Sequence, residues 1–197
     1  MNPFFVSPMR DAGYDVADFC AVDPSYGTLA DAKRLFAKAH ALGLRVVLDL
    51  VAGHTSDQHP WFTSSASAAH GPHGDWYVWT RQWLDCPPGM IGGMTPRNGA
   101  YLRNFFAHQP ALNYGYATPD PSKPWQLPMH HPGPKAVREA LRRVMAFWLD
   151  LGCDGFRVDM ASSLIRGDSD GAGLQDLWDD YRGWMAKHYP DAVLVSE

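Results

Sequence analysis

Three stretches of the chain repeat one pattern: an amphipathic helix, a helix-breaking residue and a short apolar strand. In the first, the apolar positions of "LADAKRLFAKAHAL" recur at helical spacing, Gly43 ends the helix, and "LRVVLDLV" follows as a buried strand. In the second, a helix with one apolar stripe begins at Pro134 and ends at Gly152, and "CDGFRVDM" follows. In the third, "LQDLWDDYRGWM" predicts a helix that Pro190 breaks before the strand "AVLVSE".

Alternating helices and apolar strands predict an α/β fold built on a parallel sheet. Asp49, Asp159 and Glu197 lie at or near the C-terminal ends of the three strands. A single acid at such a position is more often a solvated loop residue than a functional one. Because the C-terminal strand ends form the active face of parallel α/β proteins, three acids at equivalent positions favour a functional site.

The spacing of the strands is uneven. Asp159 and Glu197 are 38 residues apart, a normal strand–helix repeat, whereas Asp49 and Asp159 are 110 residues apart. We therefore expect an insertion over residues 55–130, between partial barrel segments at 1–54 and 131–197. The insertion is rich in Pro, Gly, His and Trp, which is typical of loops and short strands. A long insertion on the active face predicts a lid or a substrate-binding subdomain.

Composition narrows the function classes. A hydrophobic content of 46% is ample for a packed core, and the formal charge of −4 has no basic run behind it, so nucleic acid and anionic membranes are not expected as partners. No stretch approaches the roughly 20 apolar residues of a membrane span. The three cysteines, Cys20, Cys86 and Cys153, form neither a disulfide framework nor a zinc pattern. Oligomeric state and compartment stay open, with a cytoplasmic location slightly favoured.

The hexapeptide "GFRVDM" carries the first candidate chemistry. Side chains alternate along a strand, so Arg157 and Asp159 point to the same side, where the guanidinium is expected to hold the acid ionised. An ionised, oriented carboxylate is a potential nucleophile, although a structural ion pair explains the two residues equally well. Glu197 follows the next strand, and two carboxylates about 5 Å apart suit retaining glycoside hydrolysis.

Two loops add candidate sugar contacts. His54 follows the strand of Asp49 and is open to metal binding, base chemistry or a hydrogen bond to a substrate hydroxyl; no second histidine stands at metal-ligand spacing, so no metal site is expected. In "RDAGYD", Asp11 and Tyr14 combine an acceptor with an aromatic ring that stacks on a sugar face. The alternative is a turn acid beside a packed tyrosine.

These segments together resemble the α-amylase family of glycoside hydrolases, glycoside hydrolase family 13, over essentially the whole chain. The resemblance lies in five segments in family order: "SPMRDAGYDVADF", "DLVAGHTSDQHPWF", "QPALNY", "GFRVDM" and "LVSE". It implies a partial (β/α)8 TIM barrel, about strands 2–5, with an inserted domain B between strand 3 and helix 3. The substrate it implies is an α-glucan or α-glucoside.

The resemblance also implies residue roles. Asp159 would be the nucleophile and Glu197 the general acid/base, with Arg157 orienting Asp159. His54 and Tyr14 would hold the glucosyl ring next to the scissile bond. Asp11 resembles the acid that caps the non-reducing glucose in exo-acting members, which favours α-glucosidase-like activity.

The sequence departs from the family pattern in two ways that bear on function. Calcium-dependent amylases have an asparagine where Gly53 stands, so no cofactor is expected. The chain holds at most four of the eight barrel strands, from the end of strand two at "NPFFVSP" to Glu197, and lacks the third catalytic acid of the family. We therefore expect a fragment of a longer enzyme that is inactive by itself.

Three other functions compete with this one. A non-catalytic relative with a binding or partner role is disfavoured because Asp159, Glu197, Arg157 and His54 are all retained. A transglycosylase acting on trehalose or sucrose remains open. A dehydrogenase-like domain is disfavoured because no "GxGxxG" turn follows a strand.

Overall fold

A computed structural model describes all of residues 1–197. The strands are β1 (Phe5–Val6), β2 (Asp18–Val22), β3 (Val47–Leu50), β4 (Met90–Gly92), β5 (Ala100–Leu102), β6 (Gly155–Val158) and β7 (Val193–Ser196). The helices are α1 (Leu29–Ala41), α2 (Pro60–Ser67), α3 (Pro132–Leu151) and α4 (Ala172–His188), with a short 3₁₀ turn at Ala161–Ser163. No helix is long and apolar enough to cross a membrane.

The central sheet contains three parallel strands in the order β3-β6-β7. The register pairs Asp49 with Arg157 and Arg157 with Val195, so these three residues lie side by side across the sheet. The crossovers between parallel neighbours run through α3 and α4, as such connections require. The predicted parallel sheet is thus confirmed, and all three C-terminal strand ends lie at one edge.

Helix α3 covers this sheet with the apolar stripe that the sequence predicts. It begins at Pro132, two residues before the predicted start, and a proline there has no N–H to leave unpaired. Gly152 ends it in the left-handed conformation, at φ 115°, where a side chain would be strained. The stripe is buried at four positions: Val137, Leu141, Val144 and Trp148.

The N-terminal segment differs from its prediction. "NPFFVSP" was expected to end a barrel strand, but β1 pairs antiparallel with β2 and forms a separate hairpin. Only the backbone of Met1 follows the edge of β3, where its carbonyl accepts from the N–H of Asp49 at 3.0 Å. The reason is that Phe5 and Phe19 both pack into the core beside Trp148, which fixes the hairpin across the sheet edge.

Residues 55–130 contain more regular structure than their composition predicts. Helix α2 lies near the start of this segment, and β4 and β5 form an antiparallel hairpin. Phe62 of α2 packs against Tyr77 and Tyr101, and all three belong to the same large hydrophobic core as the central sheet. The segment is therefore packed firmly against the sheet rather than held on a free loop.

Helix α1 has the predicted bounds but not the predicted burial. Thr28 and Asp31 form a reciprocal capping box at its start, and the helix ends at Ala41, two residues before Gly43. Ala32 and Phe36 are buried, whereas Leu35 stays 45% exposed. The apolar stripe of α1 is thus only half covered within the described chain.

Candidate active site

One guanidinium lies at the centre of the candidate site. The Nη1 atom of Arg157 donates to Asp49 Oδ1 at 2.9 Å and to Asp159 Oδ1 at 3.1 Å, and its Nη2 atom donates to Glu197 Oε2. Asp49 is nearly buried, while the Glu197 side chain is 59% exposed. The three acids predicted to share a strand-end face are therefore brought together, and Arg157 is in contact with all of them.

The strand register explains this convergence. Val158 pairs with Ser196, so Asp159 and Glu197 are the next pair along two adjacent parallel strands. Gly155 allows β6 and β7 to approach each other, because a Cβ there would lie 2.1 Å from the carbonyl oxygen of Val193. Its φ of 148° also disfavours any residue other than glycine. A glycine at the start of β6 thus helps to set the separation of the two acids.

Burial and charged neighbours together set the pKa of Asp159. That pKa lies above its ordinary value. Burial is the largest cause, and the neighbouring Asp49 charge also raises the pKa, while Arg157 acts in the opposite direction. Desolvation thus sets the direction of the shift, while Arg157 favours the ionised carboxylate, as the sequence predicts.

Tyr14 extends the cluster beyond the sheet. Its hydroxyl donates to Asp49 Oδ2 at 2.9 Å, and the ring is half-buried. Burial, followed by this hydrogen bond, raises the pKa of Tyr14, so the hydroxyl stays protonated as the donor. Asp49 therefore lies between Tyr14 and Arg157 and fixes both side chains.

His54 lies near the acid cluster, but its ring bonds to other residues of the chain. It is only 2% exposed, its Nε2 atom donates to the carbonyl of Tyr14 at 3.1 Å, and its Nδ1 atom accepts from Asn104 Nδ2 at 2.9 Å. Burial lowers the pKa of His54 to about 4, so the ring is neutral near pH 7. Both nitrogens are occupied, which contradicts the expectation that His54 contacts a sugar hydroxyl directly.

Neutral buried histidines predict a loss of stability in acid. Burial also lowers the pKa of His59, to about 3, from the ordinary value of 6.5. Below pH 6.5 the unfolded chain binds protons at both His54 and His59 that the folded chain does not bind. The free energy of unfolding should therefore fall as pH falls from 6.5 towards 4, by about 1.4 kcal/mol per pH unit for each histidine.

Urea unfolding at pH 7, 6 and 5 measures this slope. His59→Gln should reduce the slope of the free energy of unfolding against pH by the contribution of one histidine, about 1.4 kcal/mol per pH unit. Replacing the exposed His70 with Gln should leave the slope unchanged. An equal slope in all three proteins would contradict the assignment of neutral buried imidazoles.

Asp11 lies on the same loop as Tyr14 and is tied to the 55–130 segment. Its Oδ2 atom accepts from Gln109 Nε2 at 2.6 Å, and Gln109 is fully buried. The buried carboxylate of Asp15 accepts from the backbone N–H groups of Arg10 and Asp11, which shapes the loop. Asp11 makes no direct contact with Arg157, but its charge is near enough to raise the pKa of Asp159.

Sequence reasoning missed the supporting residues Asn104 and Gln109 and did not assign a site role to Asp49. The signal for Asp49 was present, since an acid inside the apolar run "VVLDLV" must face a polar partner. Asn104 has no such local signal, because it acts across 50 residues of sequence. Gln109 opens the segment "QPALNY", but its partner Asp11 lies 98 residues away.

The residues around Gly53 do not fit a calcium ion. A Cβ at Gly53 would lie 2.9 Å from Asn104 Nδ2, so the amide of Asn104 fills the space that a side chain would occupy. That amide directs its NH₂ group, and not its oxygen, at His54 Nδ1. No group of three or more His, Cys, Asp or Glu residues in the structure has metal-binding geometry.

Comparisons with known proteins give a consistent result. The model of the α-amylase catalytic domain family matches residues 1–197. The chain is 38% identical to a trehalose synthase of Pimelobacter sp., covering 99% of the chain and 33% of that protein. It is 44% identical to a probable α-glucosidase of Rhizobium meliloti, covering 81% of the chain and 27% of that protein. The chain thus spans about a third of the length of these curated relatives.

Solved structures show the same likeness. The α-glucosyl transfer enzyme XgtA superposes with a TM-score of 0.78 at 32% identity, over 99% of this chain and 41% of that one. The trehalulose synthase MutB, as its R284C mutant, superposes with a TM-score of 0.81 at 27% identity, over 99% of this chain and 36% of that one.

Proposed function

The chain belongs to the α-amylase family of glycoside hydrolases, and from that premise we propose that the protein cleaves α-glucosidic bonds through a covalent glycosyl-enzyme. Its substrate is an α-glucan or α-glucoside. In this proposal β3, β6 and β7 are strands three, four and five of a (β/α)8 barrel. Residues 55–130 are the inserted domain B, flanked by barrel segments 1–54 and 131–197.

The observation that carries the proposal is the arrangement of Asp159 and Glu197. The two acids follow adjacent parallel strands and contact the same guanidinium of Arg157. Two acids that share one guanidinium on neighbouring strands support a retaining mechanism, in which the carboxyl groups lie about 5 Å apart.

In the first step, a carboxylate oxygen of Asp159 attacks the anomeric carbon and the bond to the leaving oxygen breaks. Glu197 donates a proton to that oxygen, so the leaving group departs as a neutral alcohol. In the second step Glu197 takes a proton from water, whose oxygen displaces Asp159 and restores the α-configuration.

The supporting residues have separate tasks. Arg157 orients Asp159, and Asp49 holds both Arg157 and the Tyr14 hydroxyl in place. Tyr14 offers its ring to the sugar face, and Asp11 accepts from hydroxyls of the terminal glucose, with Gln109 fixing its direction. His54 positions the Tyr14 backbone rather than the sugar itself.

Transfer to a sugar acceptor is the second candidate function. Curated relatives include trehalose synthases, and the superposed structures include an α-glucosyl transfer enzyme and a trehalulose synthase. In transfer, a sugar hydroxyl takes the place of water in the second step, with the same residues in the same roles.

Proton NMR of the reaction tests the mechanism and separates the two outcomes. The complete gene product containing this chain is incubated with maltose, and the first glucose released from the non-reducing side should be the α-anomer. Added [¹³C]glucose should appear in new disaccharides if transfer dominates and stay free if hydrolysis dominates. First release of β-glucose, or no cleavage of maltose, trehalose or sucrose, would refute the proposal.

A further inference from the structure

Three adjoining cavities form a groove across the 55–130 segment, away from the acid cluster. Their volumes are about 550, 460 and 430 Å³. Arg97 and Asn98 line both the first and the second cavity, while Arg81 and Trp125 line both the second and the third. Each volume is in the range of small-molecule sites, and each neighbouring pair of cavities has lining residues in common.

Two tryptophans offer apolar faces along this groove. Trp83 lines the first cavity and is 52% exposed. Trp125 lines the second and third cavities, and its edge-to-face contact with Tyr116, at 6.2 Å, leaves at least one face of its ring without an aromatic partner. Trp79 lies deeper, with Phe62 stacked on its ring and Arg97 over it, so it serves the groove only as structural support.

Polar groups without protein partners alternate with these rings. Asn98 accepts from the Trp83 backbone N–H, which leaves its amide NH₂ group free. The carboxylate of Asp75 and the guanidinium of Arg81 line the second cavity, and neither forms a salt bridge or a side-chain hydrogen bond within the chain. Planar donors and acceptors beside aromatic faces match the alternating hydroxyl edges and C–H faces of pyranose rings.

The charge of the groove points to a neutral ligand. Arg81, Arg97 and Lys123 are offset by Asp75 and Asp85, and Lys123 is itself paired with Asp120 at 2.9 Å. With the two signs nearly balanced, the groove has no net attraction for an anion such as a phosphate or an acidic peptide.

We propose that this groove is a second carbohydrate site, which holds a neutral α-glucan chain between Trp83 and Trp125. The choice of an α-glucan rather than another neutral polysaccharide rests on the proposed function, whereas the site itself rests on the cavities and their lining. Its role is to hold a long substrate on the enzyme while the acid cluster acts on another part of it.

Titration with maltoheptaose tests the site directly. Isothermal calorimetry is performed with the complete gene product carrying Asp159→Asn, which prevents turnover, and with the same protein also carrying Trp125→Ala. We expect the second variant to bind maltoheptaose at the groove about tenfold more weakly, since it lacks the apolar face that packs on a pyranose ring. Trp184→Ala, on α4 and outside the groove, is the matched control and should bind as the parent does.

Activity then distinguishes this proposal from the proposed function. Without Asp159→Asn, Trp125→Ala should keep its kcat/KM on 4-nitrophenyl α-glucoside, which is too short to reach the groove, but should lose activity on starch. Near-UV circular dichroism confirms folding, and Trp125→Phe should recover most of the affinity. Unchanged affinity in Trp125→Ala, or equal loss in the Trp184 control, would overturn the second site even if the enzyme is active.

Discussion

Asparagine at position 159 is expected to lower kcat on 4-nitrophenyl α-glucoside by about 10⁴-fold or more. An amide has nearly the shape of the carboxylate and keeps a hydrogen-bonding group beside Arg157, but it cannot form the glycosyl ester. The measurement is single-turnover release of 4-nitrophenol by the complete gene product. Because the pKa of Asp159 is already raised by burial, removal of its charge should not reduce the melting temperature strongly.

Two further variants test whether the loss of activity is specific to the carboxylate of Asp159. Asp176→Asn removes an exposed acid on α4 and should retain full activity. Asp159→Gly supplied with azide should recover part of the rate and release β-glucosyl azide, because the small anion attacks where the carboxylate did. Activity of Asp159→Asn within tenfold of the parent would remove Asp159 from the nucleophile role.

Replacing Arg157 with methionine is expected to destabilise the fold by about 3 kcal/mol. One guanidinium contacts Asp49, Asp159 and Glu197, and removal of the shared partner leaves Asp49 nearly buried without a cation. Breaking a fully buried pair typically costs about 3–5 kcal/mol, and the lower end applies because the Arg157 side chain is 29% exposed. For a chain of this size the melting temperature should fall by about 6–12 °C.

The loss should depend on pH in a definite direction. Arg157 lowers the pKa of Asp159, so its removal raises that pKa further. The part of the destabilisation that comes from losing the Arg157–Asp159 pair should therefore be full where Asp159 is ionised, and it should shrink as pH falls and that carboxyl binds a proton. Thermal unfolding from pH 4 to 7 measures this trend.

Two variants serve as controls for the Arg157 result. Arg157→Lys keeps the charge and should lose less stability than Arg157→Met. Arg182→Met removes an exposed arginine paired with Asp179 and should cost little. A pH-independent loss in Arg157→Met would mean that packing, and not charge, explains the destabilisation.

Much of this architecture was accessible from periodicity alone. The helices α1, α3 and α4 and the strands β3, β6 and β7 were predictable because each is long or apolar enough for its pattern to dominate, and glycine or proline marks the helix ends. The convergence of Asp49, Asp159 and Glu197 followed from one rule, that parallel strands end at the same edge of a sheet.

Other features of the site could not be predicted from the sequence, because they depend on contacts between residues far apart in the chain. The role of His54 depends on Asn104, fifty residues away, and the amide reaches the ring only because Gly53 has no side chain. The direction in which the pKa of Asp159 shifts depends on how deeply the folded chain buries the carboxyl, and no local sequence pattern predicts that depth. Helix α2 was missed because its eight residues are too short for a clear apolar period.

The shared guanidinium has an energetic consequence for whatever sugar binds there. Three carboxylates on one cation leave an excess of two negative charges when all are ionised, in a setting partly shielded from water. A neutral pyranose gains little from that excess, whereas an oxocarbenium-like ring gains attraction as positive charge develops at its anomeric carbon. The imbalance of charge around Arg157 thus favours the distorted, charge-bearing sugar over the resting one.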